Sequence, residues 1–142
     1  QNDTKWTKDL ESFLNEVLSL EQEIAKIQGL NENNNPWGAW EISRKAQDKF
    51  SNDNELLRLS VELGEEVSSF IRVLKKAEKL ERDKHDGMSL TWYLKAKSIY
   101  PKSSYAKSGI NRILNNILPP DIDRSQMEND IDLASPKKLE FQ

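Results

Sequence analysis

Apolar positions along this chain follow helical periods. The longest uninterrupted pattern covers residues 54–80, where apolar and small side chains recur at steps of four and three. The members of this face are Leu56, Ser60, Leu63, Val67, Phe70, Leu74 and Ala77. Neighbouring stripes through Leu57 and Leu59 make the segment apolar on several sides. Such a helix needs neighbours on several sides, so we expect this segment to be central in an all-α domain.

Residues 4–29 predict a long amphipathic helix. Its apolar positions alternate in steps of three and four, the spacing of a coiled-coil seam or of a docked helix. The seam consists of Leu10, Phe13, Val17, Leu20, Ile24 and Ile27. Because fewer than three clean heptads are present, packing on the rest of the domain is the favoured interpretation. Self-association through residues 4–29 is the alternative.

Polar turns and prolines separate the remaining helices, which we expect at 38–50, 54–63, 66–83, 89–99 and 104–117. The boundary at Gly64 rests on the low helix propensity of glycine, and we expect a tight turn there. Pro119 and Pro120 end the helical part. The sequence therefore predicts one all-α domain over residues 1–118 and an acidic flexible linker or tail over 119–142. We expect five or six helices in antiparallel hairpins, arranged as an α-solenoid-like stack or an irregular bundle.

Composition excludes several classes of protein. The 142 residues carry a net charge of -3, too small to indicate a strongly charged partner. Cysteine is absent, which excludes disulfides and thiolate chemistry and fits a reducing, cytoplasmic location. No apolar run is long enough to span a membrane, so we expect no membrane association. Because the chain begins with Gln1 and ends in a linker-like segment, we expect it to be part of a larger protein.

Three predicted helices end in a related way. Each carries an alanine, Ala46, Ala77 or Ala96, followed by polar turn residues just beyond the helix. This arrangement resembles the end of the second helix of a tetratricopeptide repeat, in which an alanine precedes a proline by five residues. Ala96 and Pro101 match that spacing. Ala46 keeps it with Ser51 in place of the proline, and Ala77 keeps only the alanine.

The resemblance covers about residues 38–107 and implies an α-solenoid-like stack of hairpins that binds a peptide or protein. With Ala77 at the family's position, Leu57 matches a leucine of the first helix and Gly64 falls near the turn within the repeat. Arg58 and Phe70 depart from the family, which has small residues there. The alanines are also 31 and 19 residues apart, whereas the family period is about 34.

Four carboxylates form a second pattern, Glu62-x-x-Glu65 followed by Glu78-x-x-Glu81. It resembles the acidic pattern of the all-α MazG-type nucleoside-triphosphate pyrophosphatases, which hold Mg²⁺ between two helices. Magnesium needs oxygen ligands at about 2.1 Å. A continuous helix from Val67 to Glu78 would instead hold Glu65 and Glu78 about 20 Å apart. The family also has an aspartate where Glu81 stands, so solvated helix charge is favoured over a metal-dependent enzyme.

Other catalytic signals are absent from the sequence. The only histidine, His85, lies in a predicted polar turn, and a single imidazole makes a poor transition-metal site. The five glycines are scattered and form no phosphate-binding loop. We therefore expect a protein that is not an enzyme, with no cofactor and no metal.

Residues 84–112 are basic, with six cations against Asp86 alone. These cations are Lys84, Lys95, Lys97, Lys102, Lys107 and Arg112. Tyr93, Tyr100 and Tyr105 lie between them, and aromatic and basic groups together are typical of nucleic-acid binding. The same pattern is found on solvated helix edges, and it could equally face the acidic segments of this chain or an acidic peptide.

The leading hypothesis is a non-enzymatic helical module that binds a protein or peptide partner, or that links catalytic parts of a larger chain. We expect helices 38–50 and 89–99 to form its surface. The candidate partner-binding residues are Trp40, Trp92, Tyr93, Lys95 and Tyr100. Burial of these aromatic side chains in the core is the alternative. Nucleic-acid binding through residues 84–112 is the second functional hypothesis, and the metal-dependent nucleotide hydrolase is the third.

Overall fold

The structure, a computed structural model, describes residues 2–119. This part of the chain forms six α-helices and no strands. The helices are α1 (Asn2–Glu32), α2 (Pro36–Lys49), α3 (Asn54–Glu66), α4 (Ser68–Arg82), α5 (Asp86–Ile99) and α6 (Ser104–Ile117). The predicted all-α fold class is confirmed. The tail predicted for residues 119–142 lies outside the described residues, apart from Pro119.

Short polar side chains fix three of the helix starts. The side-chain oxygens of Asn35, Asp53 and Ser103 each accept the amide N–H three residues on, at 3.0, 2.8 and 3.0 Å. These bonds satisfy amide groups that have no partner within the helix. Pro36 follows Asn35 at the first helical position, where its fixed φ suits a helix start.

The turn predicted at Gly64 is wrong, because Gly64 lies inside α3. The break between α3 and α4 falls three residues later, at Val67, whose amide N–H still donates to the Leu63 carbonyl at 3.0 Å. Val67 is β-branched and is followed by Ser68 and Ser69, residue types that favour helix starts over helix interiors. These side chains outweigh the modest cost of a helical glycine.

The helices group into two compact units, which meet in the sequence between Val67 and Ser68. In the first unit, α2 packs on both α1 and α3. Its buried apolar side chains come from all three helices and are Ile27, Ala39, Trp40, Ala46, Leu56, Leu63 and Val67. The C-terminal part of α1 packs as the seam predicts, whereas residues 3–18 of α1 are exposed throughout.

In the second unit, α5 packs on α4 and α6, and α6 also contacts α4. Ser89 Oγ donates a hydrogen bond to the Ala77 carbonyl at 2.8 Å, at a place where both residues are fully buried. The Tyr93 ring of α5 lies directly against Gly109 of α6. Because glycine has no Cβ, the α6 backbone can approach the ring closely.

The loop between α1 and α2 and the loop between α4 and α5 have the same backbone hydrogen bonds, displaced by 50 residues. The amide of Asn35 donates to the Leu30 carbonyl, and that of His85 donates to the Leu80 carbonyl, both at 2.9 Å. The residue just before, Asn34 in one loop and Lys84 in the other, has a left-handed φ in both loops. The two units thus begin with equivalent helical hairpins.

The 50-residue displacement also relates the C-terminal ends of α2 and α5. The carbonyls of Ala46 and Ala96 each accept the amide N–H of the aromatic residue four positions on, at 2.8 and 3.0 Å. Both alanines are buried. Ala77 does not share this position, because it lies on α4, the first helix of its hairpin, 50 residues after Ile27. Two of the three alanines, therefore, are equivalent in the structure.

Replacing Gly109 with alanine should destabilise the second unit, because the added Cβ would overlap the buried Tyr93 ring. Overpacking of this kind costs about 1–3 kcal/mol. Urea denaturation followed by circular dichroism measures the change. Gly87→Ala is the control in the same unit, since nothing lies within 4 Å of a Cβ at that position. Equal effects of the two substitutions would contradict the packing described here.

An exchange of residues between the two equivalent loops should have opposite effects on stability. The φ angles of Asn34 and Lys84 are 58° and 60°, and asparagine tolerates this left-handed conformation better than lysine does. We expect Lys84→Asn to raise, and Asn34→Lys to lower, the free energy of unfolding by about 1 kcal/mol each. Thermal melts of the two variants check both signs, and changes of the same sign would exclude a backbone origin.

Candidate protein-binding surfaces

The five predicted partner-binding residues have different environments. Trp40 lies in the first unit and the other four lie in the second. Trp40 and Tyr93 are buried, Trp92 and Tyr100 are half-buried, and Lys95 is exposed. For Trp40 and Tyr93 the structure therefore shows the core position that the sequence left open as the alternative.

Trp40 and Tyr100 each pack against a neighbour within their own unit. The guanidinium carbon of Arg44 lies 5.5 Å from the centroid of the Trp40 ring, so a cation covers this side chain, which is only 6% exposed. The Tyr100 ring meets the buried Phe70 ring edge to face, with centroids 6.0 Å apart. Both aromatic rings thus contribute to packing.

Tyr93 joins the core of the second unit to a surface ion pair. Its hydroxyl donates a hydrogen bond to Glu81 Oε1 at 2.6 Å. Arg112 of α6 donates to the same carboxylate from Nε and Nη2, at 2.8 and 2.9 Å. Three helices are therefore held together by one carboxylate, because Glu81 lies on α4 and Tyr93 on α5.

The charges of this cluster shift the pKa values of its members. Hydrogen bonds from Arg112 hold the pKa of the Glu81 carboxyl below its usual range, and the Tyr93 hydroxyl contributes in the same direction. Burial and the nearby Glu81 carboxylate raise the pKa of Tyr93 well above its usual range. At neutral pH, Glu81 is therefore ionised and Tyr93 is protonated, as their hydrogen bond requires.

Trp92 is the predicted residue with the most suitable surroundings for binding. The Nζ atoms of Lys95 and Lys76 lie 4.2 and 5.8 Å from the centroid of its ring, and both lysines are exposed. We call Trp92, Lys95 and Lys76 the Trp92 surface. The sequence analysis missed Lys76, which lies on α4, because only the packing of α4 against α5 brings it to the ring.

The basic segment 84–112 is less continuous in space than in sequence. Lys97 is buried, with 7% of its surface exposed. Arg112 is bound to the Glu81 carboxylate. Among the interleaved tyrosines, Tyr93 is buried, and Tyr100 and Tyr105 are half-buried. These positions reduce the number of groups that a nucleic-acid backbone could contact.

The acidic pattern forms no metal site within residues 2–119, where no group of three or more histidine or acidic side chains could hold an ion. Arg58 binds both Glu55 and Glu62, each at 2.6 Å. Glu81 is likewise bound by Arg112. His85 is exposed at the start of α5, where its side chain makes no capping hydrogen bond.

A second candidate surface was assigned to packing by the sequence analysis. Six large apolar side chains in the N-terminal half of α1 are exposed, and we call them the α1 face: Trp6, Leu10, Phe13, Leu14, Val17 and Leu18. Trp6 and Phe13 have 69% and 61% of their surface exposed. Large exposed apolar groups on one helix side are typical of binding surfaces. The seam spacing alone could not distinguish a covered face from an open one.

Comparison with known proteins gave no match for this chain, whether against protein-family models, curated proteins or solved structures. Among the described helices, none combines the length and the apolar character needed to cross a membrane. The interpretation of the two surfaces therefore rests on their own geometry and chemistry.

Removing the Glu81 carboxylate should reduce the acid sensitivity of folding. A lowered native pKa stabilises the fold above the unfolded value of about 4.3, and this contribution is lost as the pH falls through the native value. We expect Glu81→Gln to unfold at lower urea than the unchanged chain at pH 7, and to lose less stability between pH 6 and about pH 3. Urea titrations across that range measure both effects.

Glu55→Gln is the matched control for Glu81→Gln. Arg58 also lowers the pKa of Glu55, but this pair is solvent-exposed, and solvent screens such pairs strongly. Its substitution should therefore change the pH dependence little. An acid sensitivity of Glu81→Gln equal to that of the unchanged chain would show that the cluster makes no net contribution.

Proposed function

We propose that this chain is a non-enzymatic, tetratricopeptide-repeat-like helical module that binds a protein or peptide partner, alone or as a scaffolding part of a larger protein. The observation that carries the proposal is the Trp92 surface on the α4–α5 hairpin. It combines a half-buried tryptophan with two exposed ammonium groups on neighbouring helices.

The side chains of the α4–α5 hairpin support the repeat-like class. A tetratricopeptide repeat has a small and then a large residue on its first helix, a small residue four before an aromatic on its second helix, and a proline beyond it. Ala77-x-x-Leu80, Ser89-x-x-x-Tyr93 and Pro101 follow this order, and the first four are buried. In this frame Ala77 belongs to the first helix of the repeat.

The first unit follows the same pattern less closely. Leu30 and Ala39 stand 50 residues before Leu80 and Ser89, but Ile27 and Ser43 replace the small and aromatic residues. The 50-residue displacement also exceeds the family period of about 34, because α3 lies between the two hairpins. The proposal is thus for a repeat-like pair of hairpins with an additional helix.

The chemistry of the Trp92 surface favours an acidic peptide or protein segment. Tryptophan supplies a large apolar contact with few rotatable bonds, and it is a common energetic centre of protein interfaces. Lys76 and Lys95 supply two positive charges beside the ring, and these attract carboxylates and speed association. Because both ammonium groups lie near the same ring, at 4.2 and 5.8 Å from its centroid, the surface also suits a segment that carries an apolar residue next to acids.

The two alternatives have less support. A nucleic-acid site would have fewer basic groups than the sequence suggests, because Lys97 is buried and Arg112 binds Glu81. A nucleotide hydrolase of the MazG type would need free carboxylates, but Glu62 and Glu81 are each bound by an arginine.

Trp92→Ala should abolish capture of the partner without unfolding the chain. The full chain, immobilised, would be used to capture proteins from a native lysate, with and without nuclease treatment. We expect a protein partner that survives nuclease, and a loss of at least about tenfold for Trp92→Ala and for Lys95→Glu. Circular dichroism verifies that the helices are retained.

Thr91→Ala is the control, since Thr91 is an exposed neighbour of Trp92 on the same helix. Thr91→Ala should capture as much of the partner as the unchanged chain does. Capture that disappears with nuclease, or that falls steeply with salt on purified nucleic acid, would favour the nucleic-acid alternative. A partner retained by Trp92→Ala would exclude the Trp92 surface.

A further inference from the structure

The α1 face occupies one continuous side of a helix. At 3.6 residues per turn, its six side chains fall within one arc, from Phe13 on one border to Leu18 on the other. Within this arc Phe13 is a neighbour of Val17, and Leu14 is a neighbour of Leu18, because residues four positions apart lie next to each other on a helix surface. The face therefore has the width of a helix–helix contact rather than that of a single exposed residue.

The 50-residue displacement between the hairpins shows how an equivalent face is covered elsewhere in the chain. Residues 104–117 of α6 stand 100 positions after residues 4–17 of α1. Residues 54–67, which are α3 and Val67 directly after it, stand 50 positions after them. At the positions that correspond to the α1 face, the buried residues of α6 are Ala106, Ile110, Ile113 and Leu114. Those of α3 and the residue after it are Leu56, Leu63 and Val67. α6 packs on α5, and α3 packs on α2.

The covering helix has similar dimensions in both cases. α2 and α5 each contain 14 residues, and each precedes the helix that it covers. A helix of this length spans about 21 Å, which matches the extent of the α1 face from Trp6 to Leu18. The α1 face has the apolar pattern of α3 and α6 without such a helix among the described residues.

Charged residues around the α1 face define the chemistry of its partner. Asp3 lies at the N-terminal end of the arc, and Asp9 and Glu11 lie along its two borders. Both lysines of this half, Lys5 and Lys8, lie on the opposite side of the helix. The borders are therefore acidic, which opposes an anionic membrane surface and places like charges together in a pair of identical α1 faces.

We propose that the α1 face binds a partner protein through one short amphipathic helix with an apolar stripe and lysine or arginine on its borders. This helix packs on α1 as α5 packs on α6. The inference shares the interaction role of the proposed function but uses a surface that does not include Trp92. The failure of either proposal is therefore distinguishable from the failure of the other.

The probe is a labelled synthetic 14-residue helical peptide with leucine and alanine along one stripe and lysine on both borders. Its twin carries glutamate at the lysine positions. Fluorescence anisotropy with the full chain should show binding of the lysine peptide, and binding of the glutamate peptide that is weaker by about tenfold or more. Equal binding of the two peptides, or no binding of either, would overturn the proposal.

Phe13→Glu tests the location of the site. It should weaken binding of the lysine peptide by at least about tenfold, even though the new carboxylate adds attraction for a basic peptide. Val61→Glu is the matched control, because Val61 is an equally exposed apolar residue of the same unit, at 63% against 61%. It should leave binding unchanged, and a loss as large as that of Phe13→Glu would exclude the α1 face.

Three further measurements complete the test. Phe13→Glu should melt at the same temperature as the unchanged chain, because the side chain that it replaces is exposed. Sedimentation velocity reports the alternative occupant: a dimer of the unchanged chain that Phe13→Glu dissociates would assign the face to a second copy and overturn the proposal. Trp92→Ala should bind the lysine peptide normally.

Discussion

The close approach of α4 and α5 is the constraint on which the second unit depends. Ala77 and Ser89 have side chains small enough for the helices to pack closely. The buried Ser89 hydroxyl donates its hydrogen bond to the Ala77 carbonyl at 2.8 Å. That contact fixes how α5 is positioned along α4, so that the hydroxyl of Tyr93 on α5 reaches Glu81 on α4. It also brings Lys76 to the Trp92 ring. A larger residue in place of Ala77 or Ser89 would separate Tyr93 from Glu81, and Lys76 from Trp92.

The two units fill the same hairpin frame with different side chains. In the second unit, the bulk is on α5, where Tyr93 lies against Gly109 of α6. At the equivalent positions, the first unit has Ser43 on α2 and Leu59 on α3, so the larger side chain is on the other helix. Cores accept such redistribution when the total volume and the apolar pattern are kept. The hydrogen bonds of the loops, which depend on the backbone, are retained more closely than the core.

Sequence reasoning was most successful where local chemistry decides the structure. The expected starts of the helices at residues 54 and 104 are those of the structure, because the capping oxygens of Asp53 and Ser103 act without reference to the rest of the fold. It failed at Gly64, where the low propensity of one residue was given more weight than the Val67 side chain and the serines after it. The relation between the hairpins was also missed, because Asn34 and Lys84 have the same backbone conformation with unrelated side chains.

The candidate surfaces could be predicted only in part, because burial of an aromatic depends on which helix faces it. Trp92 and Tyr93 are neighbours in sequence, yet one ring is half-buried beside lysines and the other is fully buried.

The pairing of helices also has a kinetic consequence. The main helix contacts join elements that are consecutive in the chain, so the average sequence separation of contacting residues is small. Chains of this kind close short loops and fold within microseconds to milliseconds, and hairpins of this sort can form before the chain is complete.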